Sequence, residues 1–118
     1  MKTRTLIAVF LLIFHATNVQ AKMHKITAYC TCKICCGKWS DGYCASGRKA
    51  KEGYVACNYL PFNTIVTIDT LGEYNVQDRG AKSYFGTKDK PIYAIDILMP
   101  SHESAKQFGV KFLNVERR

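Results

Sequence analysis

The chain has 118 residues, of which 17 are Lys or Arg and nine are Asp or Glu, giving a formal net charge of +8. This length predicts one small domain. A net positive charge suits an anionic partner. Six cysteines in so short a chain indicate a structural or chemical role for the thiols.

The first 21 residues have the pattern of a secretory signal peptide. Lys2 and Arg4 precede nine apolar residues, 6–14, and small residues lead up to Ala21. The apolar run is shorter than the roughly 20 residues that span a bilayer. We therefore expect cleavage after Ala21 and a secreted or periplasmic protein. The alternatives are an uncleaved anchor and a buried helix.

The remaining residues, 22–118, are expected to form one domain. Residues 1–21 hold two of the 17 basic residues and none of the nine acidic ones, so 22–118 carry a net charge of +6. This charge favours a cell-wall polymer or an anionic lipid surface as partner, and it is equally consistent with solubility alone. We find no nucleic-acid motif and no second apolar run. We expect a cell-wall-associated monomer without a cofactor and without membrane contact after cleavage.

Six short β-rich runs follow one another along this domain, separated by Gly, Asn, Asp and Pro. They cover residues 23–29, 53–57, 64–69, 73–77, 92–98 and 111–116. Six short strands in fewer than 100 residues predict an all-β fold, a closed or nearly closed barrel. One helix is predicted over 101–108, because Ser101 can cap it and Gly109 follows its last turn. Residues 30–52 are predicted to be a long loop held by cysteines.

The cysteine pattern in this loop, C-x-C-x2-C-C, has three interpretations. Disulfides fit an exported chain with an even number of cysteines. A zinc site fits because four thiolates can form a tetrahedral shell. A redox or catalytic thiol would need a nearby base or cation to lower its pKa. We favour disulfides and no metal: Cys30 and Cys32 would bond to Cys35 and Cys36, and Cys44 would bond to Cys57.

If the thiols are structural, the candidate catalytic residues are two aspartates. Asp78 ends a predicted strand, and Asp96 lies in the otherwise apolar strand 92–98. Burial raises the pKa of a carboxyl group, and a raised pKa is what a general acid needs. The alternative is that Asp96 accepts backbone hydrogen bonds or pairs with Arg79. For His102 we favour a structural role at the helix start.

The residues resemble the three-aspartate (3D) domain family. The similar stretches, in chain order, are Ile26-Thr27-Ala28-Tyr29, Cys36-Gly37, Ala45-Ser46-Gly47, Gly53-Tyr54-Val55-Ala56, Leu60-Pro61-Phe62-Asn63-Thr64-Ile65-Val66, Val76-Gln77-Asp78-Arg79-Gly80, Ala94-Ile95-Asp96-Ile97, Ser101-His102-Glu103-Ser104-Ala105 and Phe108-Gly109-Val110. The resemblance covers nearly all of residues 22–118. It implies a six-stranded double-psi β-barrel related to membrane-bound lytic transglycosylase A and, through the Asp-Arg-Gly stretch, to rare lipoprotein A and expansins.

The resemblance also implies a function, which is non-hydrolytic cleavage of the MurNAc–GlcNAc bond of peptidoglycan to give 1,6-anhydro ends. Asp96 takes the place of the catalytic acid and Asp78 that of the second aspartate. Substrate-binding residues are then Tyr29, Ser46, Asn58 and Arg79. Trp39, outside the similar stretches, is a further candidate, since its ring could stack on a sugar or equally cover the small core.

The chain departs from the family at two points. Cys57-Asn58 stands where the first aspartate is usual, and residues 81–87 replace a glycine-rich stretch. The alternatives are a non-catalytic, expansin-like binding module and a hydrolytic glycosidase on the same barrel. An inverting hydrolase needs two carboxyl groups roughly 6.5–9.5 Å apart.

Overall fold

The structure is a computed structural model that describes residues 21–118. The predicted signal peptide lies outside the described residues except for Ala21. Among the residues described, no helix is long and apolar enough to cross a membrane.

Six strands and three short helices make up the described chain. The strands are β1 (Lys22–Tyr29), β2 (Tyr54–Ala56), β3 (Ile65–Ile68), β4 (Gly72–Asp78), β5 (Ala94–Leu98) and β6 (Lys111–Arg117). The helices are α1 (Lys33–Cys36), α2 (Lys82–Phe85) and α3 (His102–Phe108), with a 3-10 turn at Gly37–Trp39. All six predicted strands and the predicted helix are confirmed, with ends that differ by up to two residues.

The strands form a closed barrel in the order β1-β5-β2-β4-β3-β6. Two neighbouring pairs, β1 with β5 and β2 with β4, are parallel, and the other four pairs are antiparallel. Closure removes the unpaired edges that an open sheet would expose. The prediction of an all-β barrel is therefore confirmed.

The inside of the barrel is filled by ten buried residues, most of them β-branched, which suit a pleated surface. They are Ile26, Val55, Cys57, Leu60, Val66, Ile68, Val76, Ile95, Ile97 and Val115. Because strand residues alternate between faces, the residues between them point outward.

A second, smaller cluster covers the outer face of β1, β2 and β5. It consists of Tyr29, Cys44, Tyr54, Ala56 and Leu98. Cys36 and Ala50 are partly buried against it. Three of these residues, Cys36, Cys44 and Ala50, come from the segment 30–52, so this segment lies over the outer face of the barrel.

The segment 30–52 was predicted to be a long loop held by cysteines, and in the structure it contains short regular elements. It contains α1, the 3-10 turn and an isolated bridge between Tyr43 and Lys49. Neither α1 nor the 3-10 turn has a buried residue. Apart from the partly buried Cys36, this part of the segment has little apolar packing to explain why it folds.

Helix α3 begins with a reciprocal cap. Ser104 N–H donates to Ser101 Oγ at 3.1 Å, and Ser101 N–H donates to Ser104 Oγ at 3.2 Å. Glu103 lies in the first turn, where the helix dipole favours an acid. Ala105 is buried and Phe108 packs on the inner core, as predicted. The cap fixes the position of His102, the first helical residue.

The cap gives the first prediction. Replacing Ser101 by alanine leaves the Ser104 N–H without its side-chain acceptor, while the N–H of residue 101 keeps Ser104 Oγ as acceptor. We expect the free energy of unfolding to fall by about 0.5–2 kcal/mol in urea denaturation. Ser83→Ala, an exposed serine inside α2, is the control. An equal loss in both variants would contradict the capping role.

Candidate active site

Asp96 lies at the centre of β5 and points away from the barrel interior. Its neighbours Ile95 and Ile97 are buried in the inner core, so alternation turns Asp96 to the outer face. It pairs with Thr27 on β1 and with Ala56 on β2. Thr27 Oγ1 donates a hydrogen bond of 3.0 Å to Asp96 Oδ1.

The surroundings of Asp96 favour its neutral form. Burial raises the pKa of Asp96 to about 6, and the nearby charge of Asp78 adds to this, while the hydrogen bond from Thr27 opposes it. A carboxyl group with this pKa still holds its proton in mildly acidic solution. Asp96 can therefore donate a proton there.

Asp78, at the end of β4, is held by three hydrogen bonds. Tyr29 donates its hydroxyl to Asp78 Oδ2 at 2.6 Å. The N–H groups of Ala45 and Arg79 donate to Asp78 Oδ1 at 2.8 and 2.9 Å. Burial and the hydrogen bond to Asp78 raise the pKa of Tyr29 well above its usual range, so Tyr29 stays a donor. Charge-assisted hydrogen bonds of this kind fix the carboxyl group in place.

Ala56 on β2 brings the two aspartates together. It is the residue paired both with Asp78 on β4 and with Asp96 on β5. Two strand spacings separate the Cα atoms of the aspartates, about 9–10 Å. The Ala56 side chain between them is 2% exposed and belongs to the outer cluster that the segment 30–52 covers. The two aspartates are partly exposed neighbours on this face of the barrel.

Arg79 follows Asp78 but braces the backbone rather than pairing with Asp96. Its Nη1 donates to the carbonyl of Cys57 at 2.6 Å. Its guanidinium carbon lies 3.9 Å from the ring centroid of Phe62, a cation–π contact. The alternative in which Arg79 neutralises Asp96 is therefore not what the structure shows, since Asp96 bonds to Thr27 instead.

Asn58 holds the chain between β4 and β5. Its Nδ2 donates to the carbonyls of Gly80 and Gly86, both at 2.9 Å. Its Oδ1 accepts from Gly80 N–H at 2.8 Å. These bonds need an amide, because a carboxylate cannot donate. Asn58 therefore organises the turn after Asp78.

The other two predicted binding residues lie on the segment 30–52. Ser46 N–H donates to the carbonyl of Gln77 at 3.1 Å, which joins the segment to β4 beside Asp78. Trp39 is 69% exposed on the 3-10 turn, and Lys38 Nζ lies 5.1 Å from its ring centroid. The structure thus brings Tyr29, Asp78 and Asp96 together and leaves Trp39 exposed to solvent.

The cysteines do not form the predicted disulfides: all six are free thiols. The predicted bond between Cys44 and Cys57 is prevented by the fold, because Cys57 is in the inner core and Cys44 in the cluster on the outer face. Cys36 Sγ donates to the carbonyl of Cys30 at 3.1 Å and packs on the outer cluster.

The remaining three cysteines converge on His102, for which the sequence favoured a structural role at the helix start over a place in a site. The four donor atoms of Cys30, Cys32, Cys35 and His102 all lie within 4.8 Å of one another. The sequence did contain a signal for a metal site, since cysteine and histidine are residue types that bind metals and three of the cysteines are clustered. Their separation by about 70 residues hid the connection.

The thiols in this group have unequal acidity. Hydrogen bonding from the Cys30 thiol and from backbone N–H groups lowers the pKa of Cys32 to about 6. Burial raises the pKa of Cys30 to about 11, and its thiol donates to Cys32 Sγ at 3.0 Å. Cys32 is therefore the thiol that ionises most readily of the two.

A concavity of about 280 Å³ lies elsewhere, and Glu52, Tyr54 and Glu73 are among its lining residues. Glu73 accepts a hydrogen bond from Arg118 in an exposed ion pair of 3.1 Å. We place the chemistry at Asp78 and Asp96 because their environments differ, and one of them is a carboxyl group with a raised pKa.

Comparison with protein-family models and with curated proteins finds no match for the sequence. The functional inference therefore rests on the residues and their geometry.

The raised pKa of Asp96 predicts how stability depends on pH. The folded state binds the Asp96 proton more tightly than the unfolded state, whose pKa is near 3.8. Its contribution to stability is therefore full below about pH 4 and is lost as the pH rises to about 6. Asp96→Asn should match the wild type at pH 4 and exceed it at pH 7 by about 2–3 kcal/mol, as an upper value.

Urea denaturation at the two pH values measures this difference. Asp89→Asn, at an exposed site, controls for the loss of one negative charge. A difference between wild type and Asp96→Asn that does not change with pH would show that Asp96 does not titrate as described.

The role of Asn58 predicts that an aspartate at this position is harmful. Asn58→Asp removes two hydrogen bonds and sets a carboxylate against two carbonyl oxygens, so we expect a loss of about 2–4 kcal/mol in unfolding free energy at pH 7. The matched control is Asn63→Asp, because Asn63 Oδ1 only accepts, from Gln77 Nε2 at 2.7 Å. A stability gain in Asn58→Asp would overturn the bracing role.

Proposed function

We propose that the protein is a secreted peptidoglycan-cleaving enzyme of lytic transglycosylase type, belonging to the 3D-domain family. One observation carries the proposal: Asp96, with its raised pKa, and the hydrogen-bonded Asp78 flank Ala56 on one outer face of the barrel. The two parallel strand pairs in a closed six-stranded barrel support the double-psi assignment. The basic charge of residues 22–118 suits an anionic wall polymer.

The proposed chemistry needs one proton shuttle. Neutral Asp96 donates its proton to the glycosidic oxygen as the bond to the muramyl C1 breaks. The resulting carboxylate then accepts the proton of the muramyl C6 hydroxyl, whose oxygen bonds to C1 and closes the 1,6-anhydro ring. No water is consumed, and Asp96 ends the cycle protonated.

Asp78 assists without exchanging a proton. Its carboxyl group is fixed by Tyr29, Ala45 and Arg79, so its negative charge is already oriented before the substrate binds. Positive charge develops on the sugar ring as the glycosidic bond breaks, and a preorganised carboxylate stabilises it. Thr27 orients Asp96 through its hydroxyl.

A second candidate is an expansin-like binding module. The observation in its favour is that Asn58 is committed to the backbone, so the site has two acids where the family has three. Exposed aromatic residues on the segment 30–52, Trp39 and Tyr43, are of the type that stacks on sugar rings.

The test is a digest of purified peptidoglycan, with muropeptides analysed by mass spectrometry. We expect anhydro-muramyl ends from the wild type and a fall of at least about 100-fold in rate for Asp96→Asn, because general acid catalysis contributes 10²–10⁴-fold. Activity should decline as the pH rises above about 6, where Asp96 loses its proton. Asp89→Asn should retain activity.

Other outcomes separate the alternatives. Reducing ends in place of anhydro ends would indicate a hydrolase. Absence of release, with wild type and Asp96→Asn both sedimenting with the wall, would favour the binding module. Equal turnover of wild type and Asp96→Asn would overturn the site assignment.

A further inference from the structure

We propose that Cys30, Cys32, Cys35 and His102 bind one zinc ion in a closed Cys3His site. The site goes beyond the proposed function, since it concerns how the segment 30–52 is held and not how a glycan is cut. The convergence of three thiols and one imidazole nitrogen carries the inference.

The distances between the donor atoms fit a tetrahedron around zinc. With Zn–S bonds of about 2.3 Å and Zn–N bonds of about 2.0–2.1 Å, the edges of the tetrahedron are about 3.5–3.8 Å. His102 Nδ1 lies 4.0, 3.6 and 3.4 Å from Sγ of Cys30, Cys32 and Cys35. Cys30 Sγ lies 3.0 Å from Cys32 Sγ and 3.4 Å from Cys35 Sγ. Small shifts of these side chains would complete the shell.

The chemistry of the donor set also selects zinc. Thiolate and imidazole are the ligands of tetrahedral zinc sites, whereas calcium and magnesium prefer oxygen. Four protein ligands leave no open position, which is typical of a structural site and not of a catalytic one.

Disulfide bonding explains this arrangement less well. Three thiols surround one imidazole, so any one bond among them leaves an odd thiol beside His102. Cys36, the nearest further cysteine in the sequence, directs its Sγ to the carbonyl of Cys30 and packs on the outer cluster. The structure therefore separates Cys36 from the three cysteines that face His102.

A metal would also explain the fold of the segment. Cys30 directly follows β1, Cys32 directly precedes α1, Cys35 lies in α1 and His102 is the first residue of α3. Helix α1 and the 3-10 turn contain no fully buried residue, and from these two elements only Cys36 packs on the outer cluster, so apolar packing contributes little to holding them. Metal binding supplies folding free energy to segments of this kind.

The test measures metal content, a readout that is independent of glycan cleavage. The full chain is purified, zinc is quantified by elemental mass spectrometry after gel filtration, and Co²⁺ is substituted to record the visible bands of tetrahedral thiolate coordination. We expect about one zinc ion per chain. Cys32→Ser and His102→Asn should lose stoichiometric zinc, and the matched control Cys36→Ser should keep it.

A second measurement does not depend on folding of the variants. In the wild type, zinc should slow the reaction of three of the six thiols with a thiol reagent, and a chelator should restore it. Several results would overturn the proposal: wild type that binds no zinc, zinc retained equally by Cys32→Ser and His102→Asn, zinc lost from Cys36→Ser, or a disulfide among Cys30, Cys32 and Cys35 in the unreduced protein.

Discussion

The pairing of β2 with β4 on one side and β5 on the other is the constraint on which the rest of the structure depends. Strand β2 has only three residues, yet its pairing with β4 and β5 connects the two parallel pairs of the barrel. Val55 points inward to the core, and Tyr54 and Ala56 point outward. Alternation therefore separates the apolar interior from the outer face, so polar groups can gather at Ala56 without interrupting the core.

The outer face, once formed, needs a cover, and the cysteine-containing segment provides it. Cys44 and Ala50 close over Tyr54 and Ala56, and the N–H of Ala45 reaches Asp78. The cover thus does two things at once: it buries apolar area, and it supplies one of the three donors that fix Asp78. A site built this way depends on the segment 30–52 being held in place, although the acids themselves belong to strands.

Much of the fold was predictable, because local sequence patterns determine where its strands and its longest helix form. Short β-rich runs separated by turn residues predicted the six strands, and Ser101 and Gly109 predicted α3. The two aspartates stood out because an acid such as Asp96 amid Ile95 and Ile97 is locally anomalous. The partners of the cysteines could not be predicted in the same way. Whether Cys57 faces the interior and Cys44 the exterior depends on barrel closure, and the approach of His102 to Cys35 depends on the packing of α3 beside β1.

The group of Cys30, Cys32, Cys35 and His102 lies where the neighbouring strands β1 and β5 end. Cys30 directly follows Tyr29, whose hydroxyl donates to Asp78, and His102 begins the helix that follows β5, the strand of Asp96. An ion held between Cys30 and His102 would therefore tie together the ends of the two parallel strands that carry Tyr29 and Asp96. Rigid placement of these ends matters because a proton transfer tolerates little displacement of donor and acceptor. A metal at this point would fix the positions of Asp78 and Asp96 without binding to either carboxyl group.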